Sequence, residues 1–315
     1  RGLGDVYKRQ ELVLGWRDSF KLAGSTFSYG ITGTFSDYTA EYTKCDNPTG
    51  LIGDPYVGKK YGEIWGYKVD GLFRNDKEAA EYASRIDLST VASGYYTATG
   101  AYGKGVRGGD IKYLDLNGDN IVNGGKGTLD DPGDRRVIGN SSPRYQYGAS
   151  LNFSWYGFDV SVFMQGIGRL DWYPGADNLR FWGPYCRPYA TFVPKNFMSQ
   201  VWSEENPDAY FPRARAYTSL NSNSGTAYYT NDRYLQNLAY CRLKNLTIGY
   251  TIPRRLTSKV GIKECRIYFS GENLATWSAL KSDFLDPEQA AADSDKKANV
   301  YPWCKTYSIG LNLTF

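Results

Sequence analysis

Apolar and polar residues alternate with a period of two along several stretches of this chain. At its end, Tyr307, Ile309, Leu311, Leu313 and Phe315 fall on one side, and Ser308, Gly310, Asn312 and Thr314 on the other. Successive side chains of a strand point to opposite faces, so this stretch predicts a strand with one apolar face and one small, polar face. Residues 145–155 repeat the pattern, with Tyr145, Tyr147, Ala149, Leu151, Phe153 and Trp155 set against Gln146, Gly148, Ser150, Asn152 and Ser154. Residues 158–165 follow it with Phe163 as the exception, and residues 27–35 and 245–252 follow it throughout most of their length. Weaker versions occur at 12–16, carried by Leu12, Leu14 and Trp16, and at 262–273, carried by Ile267 and Phe269. Seven strands are predicted.

Several of these runs reach ten residues or more. Strands of soluble sandwiches average about five or six residues, whereas a tilted strand needs roughly 9–11 to cross a bilayer. The joins near 20–26, 156–157 and 253–261 are short, and those at 46–143, 169–239 and 274–303 are long. This regular exchange is the habit of outer-membrane barrels, with short periplasmic turns and long external loops. Placing the C-terminus in the periplasm puts every long loop outside. Trp16, Tyr145, Trp155, Tyr156, Tyr250, Tyr307 and Phe315 lie near strand ends, where interface girdles belong. Seven strands are too few, and too odd a number, to close such a barrel, so a larger barrel is expected. A soluble sandwich with exposed rims is the competing reading. Within the first long loop, residues 76–85 predict a short external helix with a solvated charged face.

Composition supports the all-β class. The chain of 315 residues has 28 Tyr, 14 Phe, 8 Trp and 35 Gly, a profile typical of strands and tight turns. The mean hydropathy is −0.52, and no apolar run of about 18 residues appears, so no transmembrane helix is predicted. A barrel shows only alternate residues to lipid and is not excluded by either fact. The absence of His removes the commonest general base and metal ligand, and no Ser-His-Asp or Cys-His mechanism can be built. The expectation is therefore that the protein is not an enzyme. Glu204-Glu205 reads as solvated surface. A net charge of +4 is too small to imply a nucleic-acid partner. Cys45, Cys186, Cys241, Cys265 and Cys304 are scattered and odd in number, which fits neither a zinc set nor a disulfide framework, although one bridge between loops stays open. The opening R-G-L-G-D-V-Y-K-R-Q has no signal-peptide core and fits the strand pattern poorly. Residues 1–10 are expected to be a non-native or disordered leader, and 11–315 the barrel portion.

Two stretches carry candidate chemistry. In Y-L-D-L-N-G-D-N-I-V-N-G-G (113–125), Asp115, Asn117 and Asp119 occupy the first, third and fifth positions of a calcium loop. The carbonyl of Ile121 would serve at the seventh and Asn123 at the ninth. The twelfth position is Lys126 where an EF-hand has Glu, and Asn120 stands where Gly is expected, so Asp134 or its neighbours Asp130 and Asp131 would have to close the site. A structural Ca²⁺ and a polar turn held by Asx hydrogen bonds are the two readings. The second stretch, 171–192, holds Trp172, Tyr173, Phe181, Trp182, Tyr185, Tyr189 and Phe192. Self-packing with a partner contact is expected there over direct ligand stacking. Asn206–Arg213 is expected to be an irregular external loop whose role is to order its surroundings.

Several segments, in order, resemble the C-terminal half of SusC/RagA-type TonB-dependent outer-membrane transporters. They are Leu14-Gly15-Trp16-Arg17-Asp18, Y-G-E-I-W-G-Y-K-V-D-G-L-F (61–73), G-D-I-K-Y-L-D-L-N-G-D (109–119) and R-R-V-I-G-N-S-S-P-R-Y-Q-Y-G (135–148). They continue with F-D-V-S-V-F-M-Q-G (158–166), R-L-K-N-L-T-I-G-Y-T-I-P (242–253), I-Y-F-S-G-E-N-L (267–274) and the terminal Y-S-I-G-L-N-L-T-F. No one segment decides; their order over roughly 11–315 does. The resemblance implies a 22-stranded antiparallel barrel in the outer membrane of a Gram-negative, Bacteroidota-like cell. It further implies a plug domain outside this chain, import of glycan or peptide nutrients powered through TonB by way of the missing N-terminal region, and a SusD-like surface lipoprotein as lid. The reading from another class is a secreted all-β glycan-binding module with a calcium-stabilised loop.

Overall fold

The computed structural model describes residues 4–97, 105–186, 193, 195–215, 218–220, 225–282, 284–292 and 303–315. Seven long strands form one antiparallel sheet in chain order: β1 (Gly4–Leu22), β2 (Ser25–Lys44), β3 (Arg144–Trp155), β4 (Phe158–Arg169), β5 (Tyr240–Thr251), β6 (Glu264–Ser278) and β7 (Thr306–Thr314). Each predicted run lies in one of them. Two joins are two-residue turns, Ala23-Gly24 and Tyr156-Gly157, and both residues of each have positive φ. That geometry matches the twist of the paired strands, and glycine in the second place makes it accessible. The third short join, 252–263, carries a single turn of helix at Arg254–Thr257.

The register sorts side chains into two faces. Arg17, Gly30, Asn152, Ser161, Thr247, Ser270 and Ser308 are successive partners across all seven strands. One residue along, Tyr29, Phe153, Val160, Ile248, Phe269 and Ile309 are partners from β2 to β7. Apart from the long Arg17, the first row is small and polar, and the second is apolar. Among the described residues nothing covers the apolar face: Ile309 is 84% exposed and Leu311 57%.

Two sequence expectations need correcting. Residues 4–10, expected to belong to a non-native or disordered leader, are not disordered but continue β1 and pair with 37–44 of β2. Ladder hydrogen bonds are made by the backbone, so a strand can extend past the point where its hydrophobic alternation stops. Strand β5 begins at Tyr240 rather than 245. A bulge between Leu243 and Asn245 shifts the register there, so Leu243 and Leu246, three apart, sit opposite Met164 and Val162 on the same face. An extra residue in one strand resets its phase, which is why alternation fails at R-L-K-N-L.

Because the sheet is a meander, the three short joins and Thr314 share one end, and 45–143, 170–239 and 279–305 share the other. The long connections are folded. They hold the strand pairs Glu63–Tyr67 with Arg135–Asn140 and Val69–Leu72 with Ile111–Tyr113. They also hold the helix α1 (Asp76–Ala83), capped by Asn75, whose side chain accepts from the Glu78 N–H. The main buried hydrophobic cluster lies in these connections, around Phe73, Tyr113, Phe181, Trp182, Phe211 and Tyr234. The sheet therefore looks inside out beside a conventional small domain that caps one end. None of the five cysteines forms a disulfide.

Candidate functional site

The Asp/Asn loop is held by its own backbone. Asp115 accepts from the N–H groups of Gly118 at 2.7 Å and Asn120 at 2.9 Å. Asn117 Oδ1 accepts from Asp119 N at 3.0 Å, and its amide donates to Asp119 Oδ2 at 2.9 Å. Asp119 Oδ1 accepts from Ile121 N at 2.8 Å. Asn123 accepts from Gly125 N at 2.5 Å and donates to the Ile121 carbonyl at 3.4 Å. Asp134 is fully buried and closes the loop, with one oxygen accepting from Leu116 N and Asn117 N and the other from Asn123 N. The six residues do meet in one turn, but their oxygens are engaged by N–H donors. Among the described residues, no three Asp, Glu, Cys or His side chains gather as for a metal ion. These bonds form an Asx-turn network within the loop.

The aromatic stretch packs inward. Trp172, Tyr173, Phe181, Trp182 and Tyr185 are all buried, and Trp182 lies 5.1 Å from Tyr234 between ring centroids. Tyr189 and Phe192 lie outside the described residues. Buried hydroxyls find carbonyls far along the chain: Tyr113 donates to Thr226 O at 2.5 Å and Tyr185 to Pro212 O at 2.5 Å. Phe211, inside Asn206–Arg213, joins the same cluster, so that segment does order its neighbourhood. Sequence reading missed a buried ion pair here, Asp110 with Arg215 at 2.5 Å. Burial pushes the Asp110 carboxyl up to about 6 despite the guanidinium beside it. Nothing local in the sequence joins two residues so far apart.

At the root of the cap, Arg144 grips Asp37 through two bonds of 2.5 and 2.6 Å. A cavity of about 420 Å³ beside it is lined by Lys60, Glu63, Arg144, Tyr145 and Arg169 among others. Lower on the sheet, a wide hollow of about 790 Å³ borders Arg17, Asn152 and Ser161. The polar face also carries Arg242 and Lys244, ion-paired with Asp286 and Glu288 from the last long connection. The phase break around Lys244 was the only sign of this in the sequence.

This arrangement is a wall with a polar side, an apolar side and a folded cap, rather than a catalytic cleft. No family model matches the chain. The TonB-dependent receptor P26 of Formosa agariphila is 28% identical over 215 residues, covering 66% of this chain and 20% of that protein. The chain is similar to TonB-dependent receptors. A second of them, TonB-dependent receptor P3 of the same organism, is 25% identical over 267 residues, covering 82% of this chain and 22% of that protein. The chain thus spans about a fifth of the length of these curated relatives. Among solved structures, that of the RagAB peptide transporter superposes with a TM-score of 0.62 at 17% identity, over 98% of this chain and 29% of that one. The RagAB peptide importer in its closed-closed state gives 0.58 at 17% identity, over 98% and 30%. At such identities the match establishes the fold: the sheet and cap together follow one part of the RagAB transporter structure. The SusC/RagA-type resemblance carried by the motifs stands.

Proposed function

We propose that the chain forms the C-terminal strands of a 22-stranded outer-membrane barrel, and that the complete protein imports glycan or peptide fragments with energy delivered through TonB. The observation that carries this reading is the pairing of an uncovered apolar face with a continuous polar face on strands of bilayer length. In a barrel the first face meets lipid and the second lines the interior. The long connections are then extracellular and the C-terminus periplasmic. A SusD-like lipoprotein would sit over the capped end, and TonB would engage a region outside this chain. The relatives are named receptors and transporters, which supports transport over an enzymatic role. The uncovered apolar face speaks against a secreted glycan-binding module.

The test is to express the complete reading frame in a Bacteroidota host and fractionate the membranes. The protein should be in the outer membrane, require detergent for extraction, and shift in gel mobility on heating. Deleting it should abolish growth on a subset of oligosaccharides or peptides as sole nutrient. An intact protein that is monomeric and stable in plain buffer overturns the reading.

A further inference from the structure

The last long connection does not stand away from the sheet; part of it lies on the polar face. Arg242 of β5 faces the same side as its cross-strand partners Gln165 and Thr276. Its side chain is only 1% exposed and is fully engaged: Nε donates to Thr276 Oγ1 at 2.8 Å, Nη1 to Glu288 at 2.8 Å, and Nη2 to Asp286. Lys244, the bulge residue, holds both oxygens of Glu288 at 2.9 and 2.8 Å and stands 4.8 Å over the Trp303 ring. The Gln165 amide adds a longer bond to Glu288 at 3.4 Å. Asp286 also caps the short helix Pro287–Ala292 through the Glu288 and Gln289 N–H groups, and Ala290 tucks against Leu170, Trp172 and Leu238.

The two sides of this contact differ. The cations, an amide and a hydroxyl are fixed on long strands, whereas Glu288 sits on a six-residue helix within a connection and Asp286 caps that helix. Asp286 and Glu288 keep about a quarter of their side-chain surface in solvent, at 22% and 26%. A planar guanidinium with a neighbouring ammonium is a receptor for carboxylate. A buried arginine stripped of its partners is strongly destabilising. The acidic segment can therefore leave only when another anion takes its place.

We infer that Asp286 and Glu288 form an internal pseudo-ligand, an autoinhibitory strap that occupies a carboxylate-binding site made by Arg242, Lys244, Gln165 and Thr276 on the polar wall. A substrate carboxylate displaces it, which rests on the import reading and narrows the substrate to acidic oligopeptides or acidic oligosaccharides. The strap both closes the site to neutral compounds and keeps the arginine paired between visits. Trp303 beside Lys244 supplies a flat apolar surface for the body of the incoming molecule.

Hydrogen–deuterium exchange on the complete receptor in detergent tests this without requiring transport. The probes are triglutamate, trigalacturonate and, as neutral control, amidated triglycine. The amides of 288–290 should be protected in the wild type and exchange at least tenfold faster on adding one of the acidic probes, and the two probes tell peptide from glycan. Glu288→Gln should lose protection without any probe and bind that probe at least tenfold more tightly, and Lys244→Gln should abolish the response. If neither acidic probe changes exchange in the wild type or binds Glu288→Gln more tightly, the inference fails, while outer-membrane location and uptake continue to test the import reading separately.

Discussion

Gly109 is a position where the cap has no room for a side chain. Its φ is +86°, in the left-handed region, and a Cβ built on it would lie 2.3 Å from Trp202 Cδ2 and 2.8 Å from Arg213 Cβ. Trp202 is buried, with the Arg213 guanidinium 4.5 Å over its ring. The backbone is clamped too: Gly109 N donates to Phe73 O at 2.6 Å and Arg213 N donates to Gly109 O at 2.7 Å. Gly109→Ala therefore combines a conformational cost of about 1–2 kcal/mol with an overpacking cost of about 1–3 kcal/mol, roughly 2–5 kcal/mol together. The loss should be confined to the cap, because the seven-stranded sheet makes its hydrogen bonds independently. In the complete protein in detergent, urea unfolding followed by tryptophan fluorescence and by limited proteolysis of the connections should report early cap opening. The heat-dependent gel shift of the barrel should stay as in the wild type. Gly53→Ala, where a Cβ meets nothing within 4 Å, is the control and should be within about 0.5 kcal/mol of wild type. A Gly109→Ala protein that behaves like Gly53→Ala would refute the claim that close packing around Trp202 organises the cap.

Four further outcomes follow from the same geometry. Burial raises the Asp110 carboxyl from 3.8 to about 6, so folding takes up a proton between those values. This group favours the folded cap below about pH 3.8 and loses that contribution, roughly 3 kcal/mol, as pH rises to about 6. Against Asp110→Asn, the wild-type cap should lose stability from pH 4 to 6.5 in urea titrations, and parallel profiles would refute the claim that burial outweighs the Arg215 guanidinium and raises this carboxyl. Asp134→Ala should cost the cap roughly 3 kcal/mol or more, since it strands the N–H groups of Leu116, Asn117 and Asn123. Millimolar calcium should leave the wild-type melting temperature unchanged, and a clear upward shift would restore the calcium reading of Asp115, Asn117 and Asp119. Leu151→Lys, on the apolar face, should cost about 2–4 kcal/mol if that face meets mid-bilayer lipid, seen as loss of the folded band on unheated gels. Asn152→Lys, on the polar face, should be tolerated, and equal damage by both would contradict the sorting of faces.

The sheet was legible in the sequence because its selection is local. Each strand must keep one face apolar, so Ile309, Leu311 and Leu313 announce β7 without help from the rest of the chain. The reading failed where that local rule lapses: at Lys244, where a bulge resets the phase, and at residues 4–10, where the ladder outlasts the alternation. Beyond the short helix at 76–83 and the inward packing of its aromatic stretch, the cap was not legible, for the opposite reason. Its core is assembled from contacts such as Tyr113 to Thr226 and Tyr95 to Ser219, more than a hundred residues apart, and no periodic signal ties such partners together. The candidate metal loop falls between these cases. Its alternating oxygens could be read directly, but a calcium loop and an Asx-turn loop share that alternation, and the pattern alone does not separate them. Mean hydropathy misleads for a related reason. It averages a sheet that turns its apolar residues outward with a cap that turns them inward. The strap on Arg242 joins those two parts, since its carboxylates belong to a connection and its cations to the wall. Neither partner could be assigned a role until both were placed on the same face.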